Sequence, residues 1–210
     1  MTLIYVYDAL CGWCYGFSPV IARFKEAYAN QFNVEVLSGG MITGNRIGQI
    51  GEVAPYIKWA YKEVENTTGI TFGEAFLNDI LEDGKTVFNS IPPAIALSVF
   101  KNSQKENSLA FAASIQKAIY YDGIEPEDFE AYRKIAAGYG LDASTFISNM
   151  KAAKFEKSAH REFEISARLG VRGFPSLVLE SEGSYHKVGS GFMPFEVLKT
   201  KVFEIAKQLK

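Results

Sequence analysis

The 210-residue chain is poor in metal-binding side chains. Its only cysteines are Cys11 and Cys14, and its only histidines, His160 and His186, lie far from them and from each other without His-x3-5-His spacing. A closed four-ligand zinc site is therefore not expected, and no metal is assigned. Charge of one sign is also scarce: 22 Lys plus Arg against 24 Asp plus Glu leave a net charge of −2. No basic excess is available to follow a phosphate backbone, which argues against nucleic acid as a partner. No run of 18 apolar residues occurs, so no membrane span and no membrane partner are expected. The opening stretch Met1–Tyr7 has no basic segment and is ended by Asp8 too early for a signal peptide, so the expected compartment is the cytoplasm. Repeats and low-complexity tracts are absent. What remains, with 48% apolar and 22% charged residues, is an ordinary globular composition with one core and an elaboration.

The cysteines stand three apart in Cys11-Gly12-Trp13-Cys14. A structural disulfide closing so small a loop would constrain little of the unfolded chain, and a cytosolic setting would tend to reduce it. Redox chemistry is the reading left. Residues 3 to 7 form a short apolar run rich in aromatic and β-branched side chains, as in a buried parallel strand. From Trp13 to Asn30 the apolar positions Phe17, Val20, Ile21, Phe24 and Tyr28 recur at helical spacing, with Pro19 expected to kink the first turns. Asn33–Leu37 is a second strand, which makes a βαβ unit with Cys11 at a strand-to-helix junction. A helix N-terminus carries unsatisfied N–H groups and partial positive charge, which favour a thiolate. Cys11 is thus expected to be the exposed, lower-pKa nucleophile, and Cys14, one turn further in, the shielded resolving thiol.

From residue 45 to 169 the punctuation is helical. Ser90 is expected to cap a helix that tolerates Pro92 and Pro93 in its first turn, and Gly123 to stop the helix Leu109–Tyr121. Pro126 is expected to open the next helix and Asp142 to cap another. A further helix from Phe155 to Leu169 should present Ala159, Phe163 and Ala167 on one face. Strands return at Ser176–Leu179 and Tyr185–Val188 around a Glu-Ser-Glu-Gly turn, and Pro194 opens a last helix with Phe195, Leu198, Val202, Ile205 and Leu209 on one face. The fold class is α/β: a discontinuous domain of residues 1–44 and 170–210 (βαβ…ββα), with a helical insertion domain at 45–169. Trp13 is either a substrate-facing platform or a cover for the helix start. His160, on a polar helical stretch, and His186, in a hairpin strand, are read as structural. The aromatic residues Trp59, Tyr61, Phe72, Phe76, Phe88 and Phe100 are read mostly as core, with a minority over Cys11, and Lys62, Glu63 and Glu65 as a solvated face.

The segment Asp8-Ala9-Leu10-Cys11-Gly12-Trp13-Cys14-Tyr15-Gly16-Phe17 resembles the opening of DsbA-like thioredoxin-fold proteins, in particular the FrnE-type branch of predicted disulfide isomerases. Independently, Ala167-Arg168-Leu169-Gly170-Val171-Arg172-Gly173-Phe174-Pro175-Ser176-Leu177-Val178-Leu179 is similar to that family's approach to its active-site cis-proline. Ile119-Tyr120-Tyr121-Asp122-Gly123 and Gly140-Leu141-Asp142 resemble weaker markers of its helical domain. The resemblance implies a thioredoxin fold with a helical insert and a cis Phe174-Pro175 bond beside the cysteines. It also implies that Phe174 backbone groups are free to receive an extended substrate, so Gly12, Trp13, Phe174 and Pro175 are the candidate substrate-contacting residues. Where several thioredoxin-like proteins have a buried acid six residues before the first cysteine, this chain has Tyr5, so Asp8 becomes the candidate for proton transfer.

The leading expectation is thus a thiol-disulfide oxidoreductase or isomerase acting on protein or small-molecule disulfides. It needs no dissociable cofactor, with glutathione as a co-substrate or a thioredoxin-like partner for recycling. The alternative is a glutathione-dependent isomerase or transferase like the kappa-class transferases and hydroxychromene carboxylate isomerases, which generally have serine where Cys11 stands. A non-enzymatic holdase is the third reading.

Overall fold

The computed structural model describes residues 1–209. The chain starts with β1 (Thr2–Tyr7), passes through α1 (Gly12–Ala27) and returns as β2 (Asn33–Ser38), which pairs parallel with β1. The helical segment follows. It contains α2 (Ala54–Thr68), a π-helical stretch Ala75–Glu82, α3 (Ile91–Gln104), α4 (Ser108–Tyr120), α5 (Phe129–Gly138), α6 (Ala143–Met150) and α7 (Ala153–Arg168). Two strands the sequence did not announce, Gly48–Gln49 and Val87–Phe88, pair antiparallel within it, too short to show an alternating pattern. The chain closes with β3 (Ser176–Ser181), β4 (Ser184–Ser190) and α8 (Phe195–Gln208).

The main sheet runs β2-β1-β3-β4, with β3 antiparallel to β1 and to β4. Every other residue of β1 points to one face, so Leu3, Tyr5 and Tyr7 join Phe17, Ile21 and Phe24 of α1 in the main core. Ile4 and Val6 point to the other face, where they meet Val178 beneath Leu169, Val171 and Phe174. This is the thioredoxin arrangement with a helical insertion. Pro19 lies inside α1, which continues through it to Ala27. Leu198 and Val202 of α8 are fully buried, on the face expected to lie on the sheet.

Several local expectations shift for identifiable reasons. The fifth helix begins at Phe129 rather than at Pro126, because the Asp128 carboxylate accepts from the Glu130 and Ala131 amides and caps it there. Asp142 caps α6 through the Thr145 amide as expected. On α7 the buried line runs through Phe155 and Ala159 and then to Ser166, while Ala167 is exposed, because four-residue steps drift away from a 3.6-residue turn. Ser90 has helical backbone angles and makes no cap bond; Asn89 accepts from the Ile91 amide instead, and the Ser90 hydroxyl is directed elsewhere.

The outer edge of β2 is closed by side chains. Lys101 of α3 donates to the Val36 carbonyl, and Glu162 of α7 accepts from the Ser38 amide at 2.8 Å. The two charges pair at 2.6 Å with side chains about 16% and 15% exposed. Losing one partner leaves a nearly buried charge beside an unsatisfied backbone group. Glu162→Gln is therefore expected to lower unfolding stability by about 1–3 kcal/mol, read as a lower urea midpoint at unchanged slope. A midpoint equal to that of the parent protein would show that the clamp contributes nothing.

Candidate active site

Cys11 occupies the N-cap of α1 in extended conformation, so its sulfur faces the free amides of the first turn. The Cys14 amide donates to Cys11 Sγ at 3.3 Å. From the opposite side the Phe174 carbonyl accepts from the Cys11 thiol at 3.5 Å, across a sequence separation of 163 residues. The Phe174-Pro175 bond is cis. Cys11 was expected to be exposed, yet it is only 6% accessible, because this carbonyl and the surrounding rings cover it; Cys14 beneath it is fully buried. Burial pushes the Cys14 thiol well above its ordinary value of 9.0, Cys11 raises it further by hydrogen bond and charge, and the Asp8 backbone amide pulls it back in part.

The Phe174 ring is positioned by an absence. A Cβ on Gly39, just past β2, would lie 1.9 Å from that ring, so only glycine leaves room for it. Gly40, at φ +71°, similarly gives up its space to the Phe163 ring of α7. Gly12 borders Phe72, 3.5 Å from where a Cβ would stand. Trp13 is half-buried, with its ring 6.3 Å from that of Phe192, which also meets Phe17 edge-on at 6.2 Å. Trp13 is thus both lateral cover for the helix start and a rim residue.

Asp8 is 2% exposed and its carboxylate collects three donors: the Leu10 amide at 3.0 Å, the Met41 amide at 2.7 Å and the Ser90 hydroxyl at 2.8 Å. Burial nonetheless pushes its carboxyl above the ordinary 3.8, with those donors opposing the rise. Its backbone carbonyl accepts from the Cys11 amide and from Gln116 Nε2 of α4, each at 3.2 Å. Tyr5, at the position where related folds carry an acid, directs its hydroxyl to the Cys14 carbonyl at 3.4 Å, and burial holds its phenol well above 10.0.

Ser90, Gln116 and Tyr120 were not anticipated as site residues. Ser90 reads as a helix cap because it precedes Ile91-Pro92-Pro93, and nothing local points to Asp8, 82 residues away. Tyr120 sits one turn beyond Gln116 on α4, buried against Tyr15, Phe72 and Phe76. Its phenol is raised first by burial and then by the charges of Cys11, Asp8 and Cys14, which places it within electrostatic reach of the dithiol. Of the aromatics suspected of overlooking Cys11, Phe72 packs beside Gly12 with Tyr61 behind it, Phe76, Phe88 and Phe100 are core, and Trp59 is exposed. Glu65 is more than a solvated residue, since it accepts from the Phe72 amide at 2.7 Å. His160 is solvated against Phe163, and His186 lies in β4 away from the dithiol.

Comparison with known proteins agrees with this geometry. The thioredoxin family model matches residues 5–199, so the chain belongs to the thioredoxin family. Within it the architecture is that of the DsbA-like thiol-disulfide oxidoreductases and isomerases, and the protein is an enzyme of that kind. A candidate protein disulfide isomerase from Nitrosomonas europaea superposes with TM-score 0.86 at 25% identity over 99% of this chain and 98% of that one. The cytosolic disulfide reductase DsbM from Pseudomonas aeruginosa gives TM-score 0.79 at 26% identity over 100% of both chains, and it has also been solved with glutathione. A 2-hydroxychromene-2-carboxylate isomerase, at 14% identity and TM-score 0.70 over 99% of this chain and 97% of that one, shares the fold. No curated protein matches by sequence. Among the described residues no helix is long and apolar enough to cross a membrane.

The raised Asp8 carboxyl has a stability consequence. The folded protein holds this proton above pH 3.8, where the unfolded chain has released it, so the Asp8 contribution to stability falls as pH rises through that window. Asp8→Asn removes the ionisation. The stability of the parent protein minus that of Asp8→Asn is expected to decline from pH 4 upward and then level, in denaturant titrations at each pH; a difference constant with pH would contradict it.

Proposed function

We propose that the protein is a cytoplasmic disulfide reductase or isomerase in which Cys11 attacks and Cys14 resolves. The observation that carries this reading is the placement of Cys11 Sγ between the Cys14 amide and the Phe174 carbonyl, with Cys14 buried directly behind. In the reducing direction Cys11 loses its proton and its sulfur attacks a substrate disulfide, forming a mixed disulfide and expelling one substrate thiolate. Cys14 then loses its proton and attacks Cys11 Sγ, expelling the second thiolate. The protein gives up two electrons and two protons in closing its own disulfide, and the substrate gains both. A glutathione-like thiol or a protein dithiol returns the enzyme to its reduced form, and isomerisation uses the first step and its reversal.

The site electrostatics order these steps. Part of what holds Cys14 protonated is Cys11 itself, through its hydrogen bond and charge. Once Cys11 is tied up in a mixed disulfide it carries no charge, that part of the resistance disappears, and Cys14 becomes easier to ionise only when it is needed. The Phe174 carbonyl, freed from the thiol at the same moment, is available to an extended segment of substrate. Gly12, Trp13 and Pro175 complete the contact surface. Asp8, whose charge raises Cys14, is the carboxylate that would receive the proton Cys14 releases.

The neighbour described as a cytosolic disulfide reductase supports the cytoplasmic setting and thiol partners, and its glutathione complex supports a small thiol as co-substrate. The retained Cys14 favours redox chemistry over glutathione-dependent isomerisation, for which a resolving thiol has no use.

Cys11→Ser is expected to abolish turnover, with at least a hundredfold loss, whereas Cys14→Ser traps a mixed disulfide visible by mass spectrometry. Equal activity of both variants would remove the assignment, and glutathione-dependent activity that survives Cys14→Ser would favour the isomerase reading. In Cys11→Ser the Cys14 thiol is expected to titrate lower than in the parent protein, followed by thiolate absorbance against pH; an unchanged titration would show that Cys11 does not hold it up. Equilibration in graded glutathione buffers gives the direction of electron flow, near about −270 mV for a reductant and between about −180 and −120 mV for an oxidant or isomerase.

A further inference from the structure

Beside the active-site loop lies a cavity of about 450 Å³ that the dithiol chemistry does not use. One wall is the backbone from Leu169 to Gly173, which leads into Phe174; the other is Ser176 to Val178 with Lys187, Gly189 and Ser190. The register of the β3–β4 pair slips beside Leu177 and Val178: Leu177 pairs with Gly189 and Val178 with Lys187, so Val188 is the extra residue. Such a bulge redirects neighbouring side chains. It puts Lys187 on the same face as Val178, the face that the loop bearing Arg172 covers. Two cations, Arg172 and Lys187, therefore line one small concavity, both exposed.

Neither has a carboxylate within ion-pair distance among the described residues, so both charges are free to meet a ligand. The acidic group on this face of the β3–β4 ribbon is Glu180, and its Oε1 turns away to the Gly183 amide of the hairpin turn. The loop itself is held in place: Ser176 Oγ donates to the Gly173 carbonyl at 2.7 Å and lies 3.0 Å from Ser190 Oγ, whose hydroxyl it can accept, and the Gly191 amide donates to the Pro175 carbonyl at 2.8 Å. The walls of the cavity are thus fixed to the same segment that presents the Phe174 carbonyl to Cys11.

We propose that this cavity is an anion-recognition subsite, in which Arg172 and Lys187 receive the carboxylates of a small peptide-like disulfide while its sulfur is presented to Cys11. The proposal rests on the redox reading above and names its substrate class. The volume is at the lower end of small-ligand sites and too confined for a folded partner, which selects a substrate of tripeptide size. Two cations on a short stretch of rigid wall match a ligand with more than one carboxylate, because an arginine fork and a lysine point charge can each take one. Carboxylates on an acidic protein segment have the same chemistry; confinement places them second, and the test separates the two sources.

The experiment is single-turnover reduction by the full-length dithiol protein, followed by thiol release at low salt. It uses three small disulfides: oxidised glutathione (anionic), hydroxyethyl disulfide (neutral) and cystamine (cationic). After correction for the intrinsic reactivity of each disulfide toward a free thiol, the anionic one is expected to react fastest and the cationic one slowest. The advantage should shrink as salt screens it. Arg172→Ala with Lys187→Ala is expected to slow the anionic reaction about tenfold, the equivalent of two exposed charge contacts, while leaving the neutral reaction within twofold. The neutral substrate also reports on folding and on the dithiol. If hydroxyethyl disulfide is not reduced by the parent protein, the redox reading fails. If it is reduced but the anionic substrate gains nothing, or loses no more than the neutral one in the double variant, the subsite is overturned and the redox reading stands. If the double variant slows an acidic disulfide-bonded peptide too long for the cavity and spares oxidised glutathione, the tripeptide-sized ligand is wrong.

Discussion

A single buried carboxylate holds the site together. Asp8 ends β1, and its side chain gathers an amide from the Cys-containing turn, an amide from the segment after β2 and a hydroxyl from the start of α3. Burying a carboxylate is costly unless its oxygens are paired, and here the pairing comes from three separate pieces of chain. Each donor is held to the others by that cost. The backbone carbonyl of the same residue extends the arrangement to α4 through Gln116 while it fixes the Cys11 amide. The helical insert thereby becomes part of the turn that carries Cys11.

The remaining wall of the site arrives from the far end of the sequence. The Phe174 carbonyl reaches Cys11 only because β3 pairs with β1 in the register Val6 to Ser176, and because Gly39 leaves the Phe174 ring a place to sit. In the low-dielectric space between these walls, phenols and thiols alike are held protonated, as Tyr5, Tyr7, Tyr120 and Cys14 show. Such a site discourages uncontrolled ionisation of these groups.

Much of this was legible in the sequence because it is local. A short apolar run rich in β-branched and aromatic residues at 3–7 and a helical period after Trp13 locate the strand-to-helix junction, and the Cys-x-x-Cys spacing then places one sulfur at the helix end and the next inside. The resemblance carried Pro175 to the same site. What could not be read depends on distant partners. Ser90 has the local signature of a cap but bonds to Asp8 instead, since satisfying a buried carboxylate outweighs an N-terminal amide that Asn89 can serve. The covered state of Cys11 comes from a loop 163 residues away. The drift of the α7 face from Ala167 to Ser166 reflects helical pitch accumulating over three turns, which a four-residue template misses.

The guarded rim of β2 has a meaning for the molecule's behaviour in a crowded solution. A sheet with a bare outer strand is a template on which another extended chain can pair, and crowded solutions supply such chains constantly. With Lys101 occupying the Val36 carbonyl and Glu162 the Ser38 amide, that strand has few free backbone groups left to offer near the active-site end of the sheet. Extended segments thus find little to pair with on this flank, and the sheet stays a scaffold for the Cys-containing turn rather than a seed for association.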